Sequence, residues 1–131
     1  MARDSDRLAR IRRALDAAGL DAIVCTLPSN VLLVSGYWPV IGDAVAVATR
    51  DGTVAVLAPE DEAAFVEQGW ADTSRTFPGG SLDALPHLVE VVERPLAELI
   101  SALRLESATI GLEGGSFDPS SYAATFRYGP A

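Results

Sequence analysis

Apolar positions recur along this chain with two periods, one near 3.6 and one suited to short strands. Leu8, Ile11, Leu15 and Ala18 fall at i, i+3, i+7 and i+10, a single helical stripe. Arg7, Arg10, Arg12 and Arg13 lie opposite it and read as a solvated face. Asp4 or Ser5 can accept a bond from an orphan backbone N–H at the start of this helix, and Gly19 can close it. Ala22 to Thr26 is short, apolar and partly β-branched, the pattern of a central strand buried on both faces. Pro28 blocks further pairing, and Ser29 and Asn30 start a turn or a short helix. Val31 to Val34 fits a helical turn or a strand equally, because four residues carry no period.

Ala44 to Thr49 and Thr53 to Ala58 flank Asp51-Gly52, which predicts a hairpin with a type I′ turn, positive φ at both central residues. Pro59 then opens a helix whose first turn carries Glu60, Asp61 and Glu62, charges that offset the positive end of the helix dipole. Phe65 and Val66 are expected on its buried side. Thr73 to Phe77 reads as a strand ended by Pro78-Gly79-Gly80. Leu82, Leu85, Val89 and Val92 keep helical spacing, and Pro95 is expected to begin a new helix with Leu96, Leu99, Ile100 and Leu103 on one face. Ala108 to Leu112 is a further strand, and Asp118-Pro119 marks another helix start. Strands alternating with helices predict an α/β fold, and the hairpin makes its sheet mixed.

Composition narrows the partners. At 131 residues the chain is expected to be one domain, 1–131. A net charge of −8 repels phosphate backbones, which argues against nucleic acid. The polar start, Met1 to Arg7, does not resemble a signal peptide, and no apolar run approaches the ~20 residues of a membrane helix. The single Cys25 excludes an internal disulfide. A cytoplasmic protein without membrane partners is the expectation.

Candidate chemistry is sparse. His87 follows Pro86 in a Leu/Val-rich segment without a positioned partner, so it reads as an ordinary helix residue. Cys25 sits in an apolar strand and reads as a structural thiol. Glu113-Gly114-Gly115 follows a strand but has no Lys and no phosphate-loop spacing, so it reads as a loop. No nucleophile–base pair is legible. Gly36, Tyr37 and Trp38 stand apart: two aromatics follow a Gly in an expected loop, where such side chains either contact partners or pack on the sheet edge.

Taken in order, these motifs resemble the N-terminal domain of the creatinase/prolidase/aminopeptidase P family. The residues that carry the likeness are Ala18-Gly19-Leu20-Asp21-Ala22, Pro28-Ser29-Asn30-Val31 and Leu33-Val34-Ser35-Gly36-Tyr37. The Val45–Leu57 hairpin, Pro59-Glu60-Asp61-Glu62, Thr109-Ile110-Gly111-Leu112-Glu113, Asp118-Pro119 and Tyr122 complete it. The resemblance implies a ribonuclease H-like mixed sheet of about five strands flanked by helices. It implies a parent hydrolase, an Xaa-Pro peptidase or a creatinase-like enzyme. The two divalent metals (Mn, Co or Zn) of the peptidases sit in a separate C-terminal pita-bread domain, expected beyond a truncated 131-residue stretch. This chain would then have no catalytic or metal residues of its own. It would pair with its C-terminal catalytic domain and with a second copy as a homodimer. Gly36, Tyr37 and Trp38 are the expected rim over a partner subunit's active site. The alternative is a free-standing α/β binding or dimerisation module.

Overall fold

The computed structural model describes residues 2–40, 44–79 and 88–113. Helix α1 spans Ser5–Ala18, and its cap is Asp4, whose carboxylate accepts from the Arg7 backbone N–H at 2.9 Å. It ends at Gly19, with φ of 69°, where Gly19 N–H donates to Asp16 and Leu20 N–H to Leu15. That pair of bonds satisfies two carbonyls the helix leaves open. Leu8 and Leu15 are buried and Ala18 is exposed, so the stripe stops one turn short of the expected one.

Strand β1 is Ala22–Cys25, followed by helix α2, Pro28–Ser35. Pro28 at the first helical position presets φ, and the Val31–Val34 run resolves as helix. Strands β2 (Val45–Thr49) and β3 (Val54–Pro59) form the hairpin. A 3₁₀ turn at Glu60–Glu62 leads into helix α3, Ala63–Glu67. Strand β4 is Thr73–Phe77, helix α4 Leu88–Ala102 and strand β5 Ile110–Leu112.

The five strands form one mixed α/β sheet in the order β4-β3-β2-β1-β5. β1–β2 and β2–β3 are antiparallel, while β1–β5 and β3–β4 are parallel. Both faces are covered. Ala46, Ala48, Val54, Val56 and Ala58 point to one side, where they meet Leu8, Val31, Val34 and Val66 from the first three helices. Val45, Val47, Ala55 and Leu57 point to the other, against Leu99 and the rest of α4. Strict alternation on β2 and β3 therefore serves two apolar layers, and every residue of both strands is buried.

Several expectations shift. β1 lies inside the sheet between β2 and β5, as expected of a central strand, but it is not fully buried on both faces: Ile23 and Val24 stay half-buried. The hairpin turn is not type I′. Gly52, with φ of 96°, is the only loop residue with positive φ, and Gly52 N–H donates to Thr49 at 3.0 Å. A three-residue loop, Arg50 to Gly52, closes with Thr49 N–H on the Thr53 carbonyl at 2.9 Å. Asp51 holds this form by accepting from the Thr49 hydroxyl and the Thr53 N–H, which a positive φ at Asp51 is not needed to reach. Pro95 lies inside α4 instead of starting a helix. Val91, Val92, Leu96, Leu99, Ile100 and Leu103 all pack on one core layer, and their burial outweighs the roughly 3 kcal/mol of an interior proline. Phe65 is exposed and Val66 alone is buried on α3. The expected helix start at Leu82–Leu85, Gly80, His87, Gly114-Gly115, and Asp118-Pro119 with Tyr122 all lie outside the described residues.

The turn after α4 repeats the geometry at Gly19 with a different residue. Arg104 has φ of 57°, with Arg104 N–H on Ser101 and Leu105 N–H on Ile100, each at 3.0 Å. A side chain in this left-handed conformation costs energy that Gly avoids. Arg104→Gly is therefore expected to stabilise the fold by about 0.5–1 kcal/mol, read as a higher urea midpoint at unchanged slope.

Candidate functional site

The Gly36–Trp38 segment is built where α2 ends. Helix α2 leaves its last carbonyls without helical partners, and Trp70 supplies two. Trp70 N–H donates to Ser35 and its indole Nε1–H to Val34, both at 2.8 Å. Ser35 Oγ donates back to Val31 at 2.6 Å and accepts from Tyr37 N–H at 3.2 Å. The Arg7 guanidinium stacks 5.4 Å from the Trp70 ring centre, so the arginine face of α1 is not merely solvated. Gly36 turns the chain at φ of 74°, and a Cβ there would sit 2.5 Å from Trp70 Cε3.

The three candidate residues part company at this turn. Tyr37 is 1% exposed and belongs to the core, whereas Trp38 is 48% exposed. Tyr37 therefore holds the loop from inside, and of the pair only Trp38 presents its ring to solvent. The Tyr37 hydroxyl donates to Glu62 Oε1 at 2.8 Å, and the Val40 N–H donates to the same oxygen at 2.7 Å. Glu62 is 2% exposed, while Glu60 and Asp61 are exposed. The acidic run is thus not one solvated helix start: its third member turns inward and ties the loop before β2. Val40, Phe65, Leu32 and Leu33 are further exposed apolar side chains on α2, α3 and this loop.

The other end of α2 is tied by Glu113, which had read as an unremarkable loop residue. Its Oε1 accepts from the Thr26 N–H, and Leu27 N–H reaches both oxygens at 2.9 and 3.0 Å. The Asn30 amide donates to Oε2 at 3.0 Å. A carboxylate at a helix start satisfies open N–H groups and complements the dipole. Only a Glu following an apolar strand was visible beforehand; its distance to α2 depends on β1 and β5 pairing.

Among the described residues no three His, Cys, Asp or Glu side chains converge as metal ligands, so they do not fit a two-metal centre. Two open depressions lie on either side of Arg50, one lined by Arg12, Arg13, Asp16 and Asp51, the other by Asp21 and Arg104. Two of their guanidiniums are engaged structurally: Arg12 Nε donates to Arg50 O at 3.0 Å and Arg50 Nε to Leu20 O at 2.9 Å. Cys25 is buried, and burial first, the Glu113 charge second, push its thiol up to about 12. Burial and the Glu62 contact raise the Tyr37 phenol as well. Among the described residues no helix is long and apolar enough to cross a membrane.

Two outcomes follow from this geometry. Gly36→Ala combines a strained φ with a clash against Trp70 and is expected to cost about 3 kcal/mol. Gly19→Ala, with nothing within 4 Å of the new Cβ, should cost only about 1 kcal/mol; paired urea titrations measure the difference. Cys25 and Tyr37 both have raised pKa values in the fold, so both favour the folded state while protonated. Their contribution is full below the unfolded thiol value of about 8.5 and is lost as pH rises toward 12 and beyond. Denaturation midpoints should fall between pH 8 and pH 11, to a smaller extent in Cys25→Ala.

Comparison with known proteins agrees with this architecture. Residues 7–125 match the model of the creatinase/prolidase N-terminal domain. No curated protein sequence matches. Among solved structures, a dipeptidase from Pyrococcus horikoshii OT3 superposes with a TM-score of 0.61 at 18% identity, over 88% of this chain and 30% of that one. The prolidase from the same organism gives 0.58 at 17% identity, over 91% and 29%. The N-terminal domain of Xaa-Pro dipeptidase from Lactobacillus brevis gives 0.59 at 16% identity, over 95% and 90%. This chain thus spans less than a third of the two Pyrococcus proteins, and at these identities the likeness is one of fold. With a family match over most of its length and the same fold in these structures, the chain belongs to the creatinase/prolidase N-terminal domain family.

Proposed function

We propose that this chain is the non-catalytic N-terminal domain of a metal-dependent Xaa-Pro peptidase of the prolidase or aminopeptidase P type, or of a creatinase-like hydrolase. The family match over residues 7–125 carries this reading. It is supported by the small share, about 30%, that the chain spans of a prolidase and a dipeptidase with the same fold. The catalytic domain, with two divalent metals (Mn, Co or Zn), lies in the remainder of such a parent. This domain serves assembly of a cytoplasmic homodimer and shapes access to the active site. The rim residue is Trp38, exposed on a braced turn; Gly36 and Tyr37 set that turn.

A free-standing module is the second reading, favoured by a sheet whose two faces both carry an apolar core within this chain. The reading frame after Ala131 separates the two. A downstream domain of roughly 200 residues carrying Asp, His and Glu ligands supports the peptidase parent, whereas a stop codon supports the module.

The 131-residue chain incubated with Mn²⁺, Co²⁺ or Zn²⁺ and Xaa-Pro dipeptides is expected to give no hydrolysis. The parent with its downstream domain is expected to turn these substrates over. Trp38→Ala in that parent should raise KM more than it lowers kcat, since a rim contact acts on binding. Turnover by the 131-residue chain alone would overturn the proposal.

A further inference from the structure

We infer that Glu62 is the positioning residue of the Trp38 tip: one buried carboxylate oxygen fixes how that indole is presented. The functional consequence rests on reading Trp38 as the rim contact; the positioning itself does not. Glu62 Oε1 accepts from the Tyr37 hydroxyl at 2.8 Å and from the Val40 N–H at 2.7 Å. These donors lie on either side of Trp38-Pro39, so a single atom closes the tip like the clasp of a ring. Between the two anchors only Trp38 and Pro39 remain, and the ring of Pro39 fixes one of their few soft torsions. The stem before them is held as well, because Gly36 is pressed against Trp70 and Tyr37 N–H bonds Ser35 Oγ.

The cost of this arrangement points the same way. Glu62 Oε2 is buried and has no hydrogen-bond partner among the described residues. A buried carboxylate oxygen without a partner among the described residues is unfavourable, and an apolar side chain of similar size would avoid that penalty. What an apolar side chain cannot do is hold a hydroxyl and a backbone N–H from two sides of an exposed aromatic. Preorganising a contact residue lowers the entropy lost when a partner or substrate docks. Helix α3 and the Glu60–Glu62 turn, remote from Trp38 in sequence, thereby set the geometry of the rim.

The chain contains two tryptophans, one exposed at the tip and one buried beneath it, which makes an internal control. With 5-fluorotryptophan incorporated, ¹⁹F spectra of the folded chain give one line for each, assigned through Trp38→Phe. Glu62→Ala is expected to move the Trp38 line toward its position in the urea-unfolded chain and to leave the Trp70 line in place. Tyr37→Phe, which removes one of the two donors with little change of volume, should move the Trp38 line part of the way. Glu62→Gln keeps an oxygen that accepts both bonds and should restore the original position. If Glu62→Ala does not fold, the Tyr37→Phe and Glu62→Gln pair decides. Both lines moving together, or a Trp38 line unmoved by Tyr37→Phe, would overturn the assignment. Failure of the rim reading shows elsewhere, as an unchanged KM for Trp38→Ala in the parent enzyme, and leaves the ¹⁹F result standing.

Discussion

The hairpin of β2 and β3 is buried on both faces, and this single constraint organises the rest. A strand pair with Ala and Val on one side and Val and Leu on the other has no face to offer water. It must be covered twice. α1, α2 and α3 supply one cover and α4 supplies the other, which is why α4 continues past Pro95. Val92, Leu96 and Leu99, on both sides of Pro95, all pack on the same layer of the sheet. The small residues Ala46, Ala48, Ala55 and Ala58 have a purpose here too, since they let helices approach the centre of the sheet closely.

Helix α2 is the second organising element, and it is stabilised from outside itself. Its eight residues are too few for autonomous stability in water. Side chains from distant parts of the sequence hold each end: Glu113 at the start, Trp70 at the finish. Both act on backbone groups that any short helix leaves open. The result is a rigid strut, and the exposed turn at Gly36–Val40 inherits its fixed direction. Function and fold meet at that turn, because residues that are core by burial, Tyr37 and Glu62, determine what the exposed neighbour can touch.

What the sequence revealed divides by range. Features set within a few residues were legible: the Asp4 cap, the Gly19 terminus, Pro28 opening α2, and a turn at Asp51-Gly52. The turn's type was not, because the choice between two- and three-residue loops depends on the bonds that the Asp51 carboxylate accepts from the Thr49 hydroxyl and the Thr53 N–H. The mixed α/β architecture followed from element order alone. Glu62 and Glu113 were read by their local company, an acidic helix start and a Gly-rich loop, and their actual partners lie 22 or more residues away. Tyr37 and Trp38 looked equivalent for the same reason: adjacent aromatics after a Gly carry no label for inside and outside. Arg104 is the sharpest case. It occupies the geometry that Gly19 announces at the end of α1, and an Arg gives no such notice.

The reach of Glu113 also bears on the order in which this domain assembles during synthesis. Thr26 and Glu113 are 87 residues apart, yet the start of α2 is completed only when they meet. The outer edge of β1 waits on the same segment, because its parallel neighbour is Ile110–Leu112. A nascent chain that has made α1, β1, α2 and the hairpin therefore holds most of one apolar layer but lacks the layer of α4, the cap and the last strand. Pairing over such a separation carries a loop-closure cost and belongs to the late, slow part of folding. Until then β1 exposes an unpaired, apolar edge, the kind of surface that invites intermolecular pairing. The residue that braces the finished domain is thus also the one whose emergence ends its most vulnerable interval.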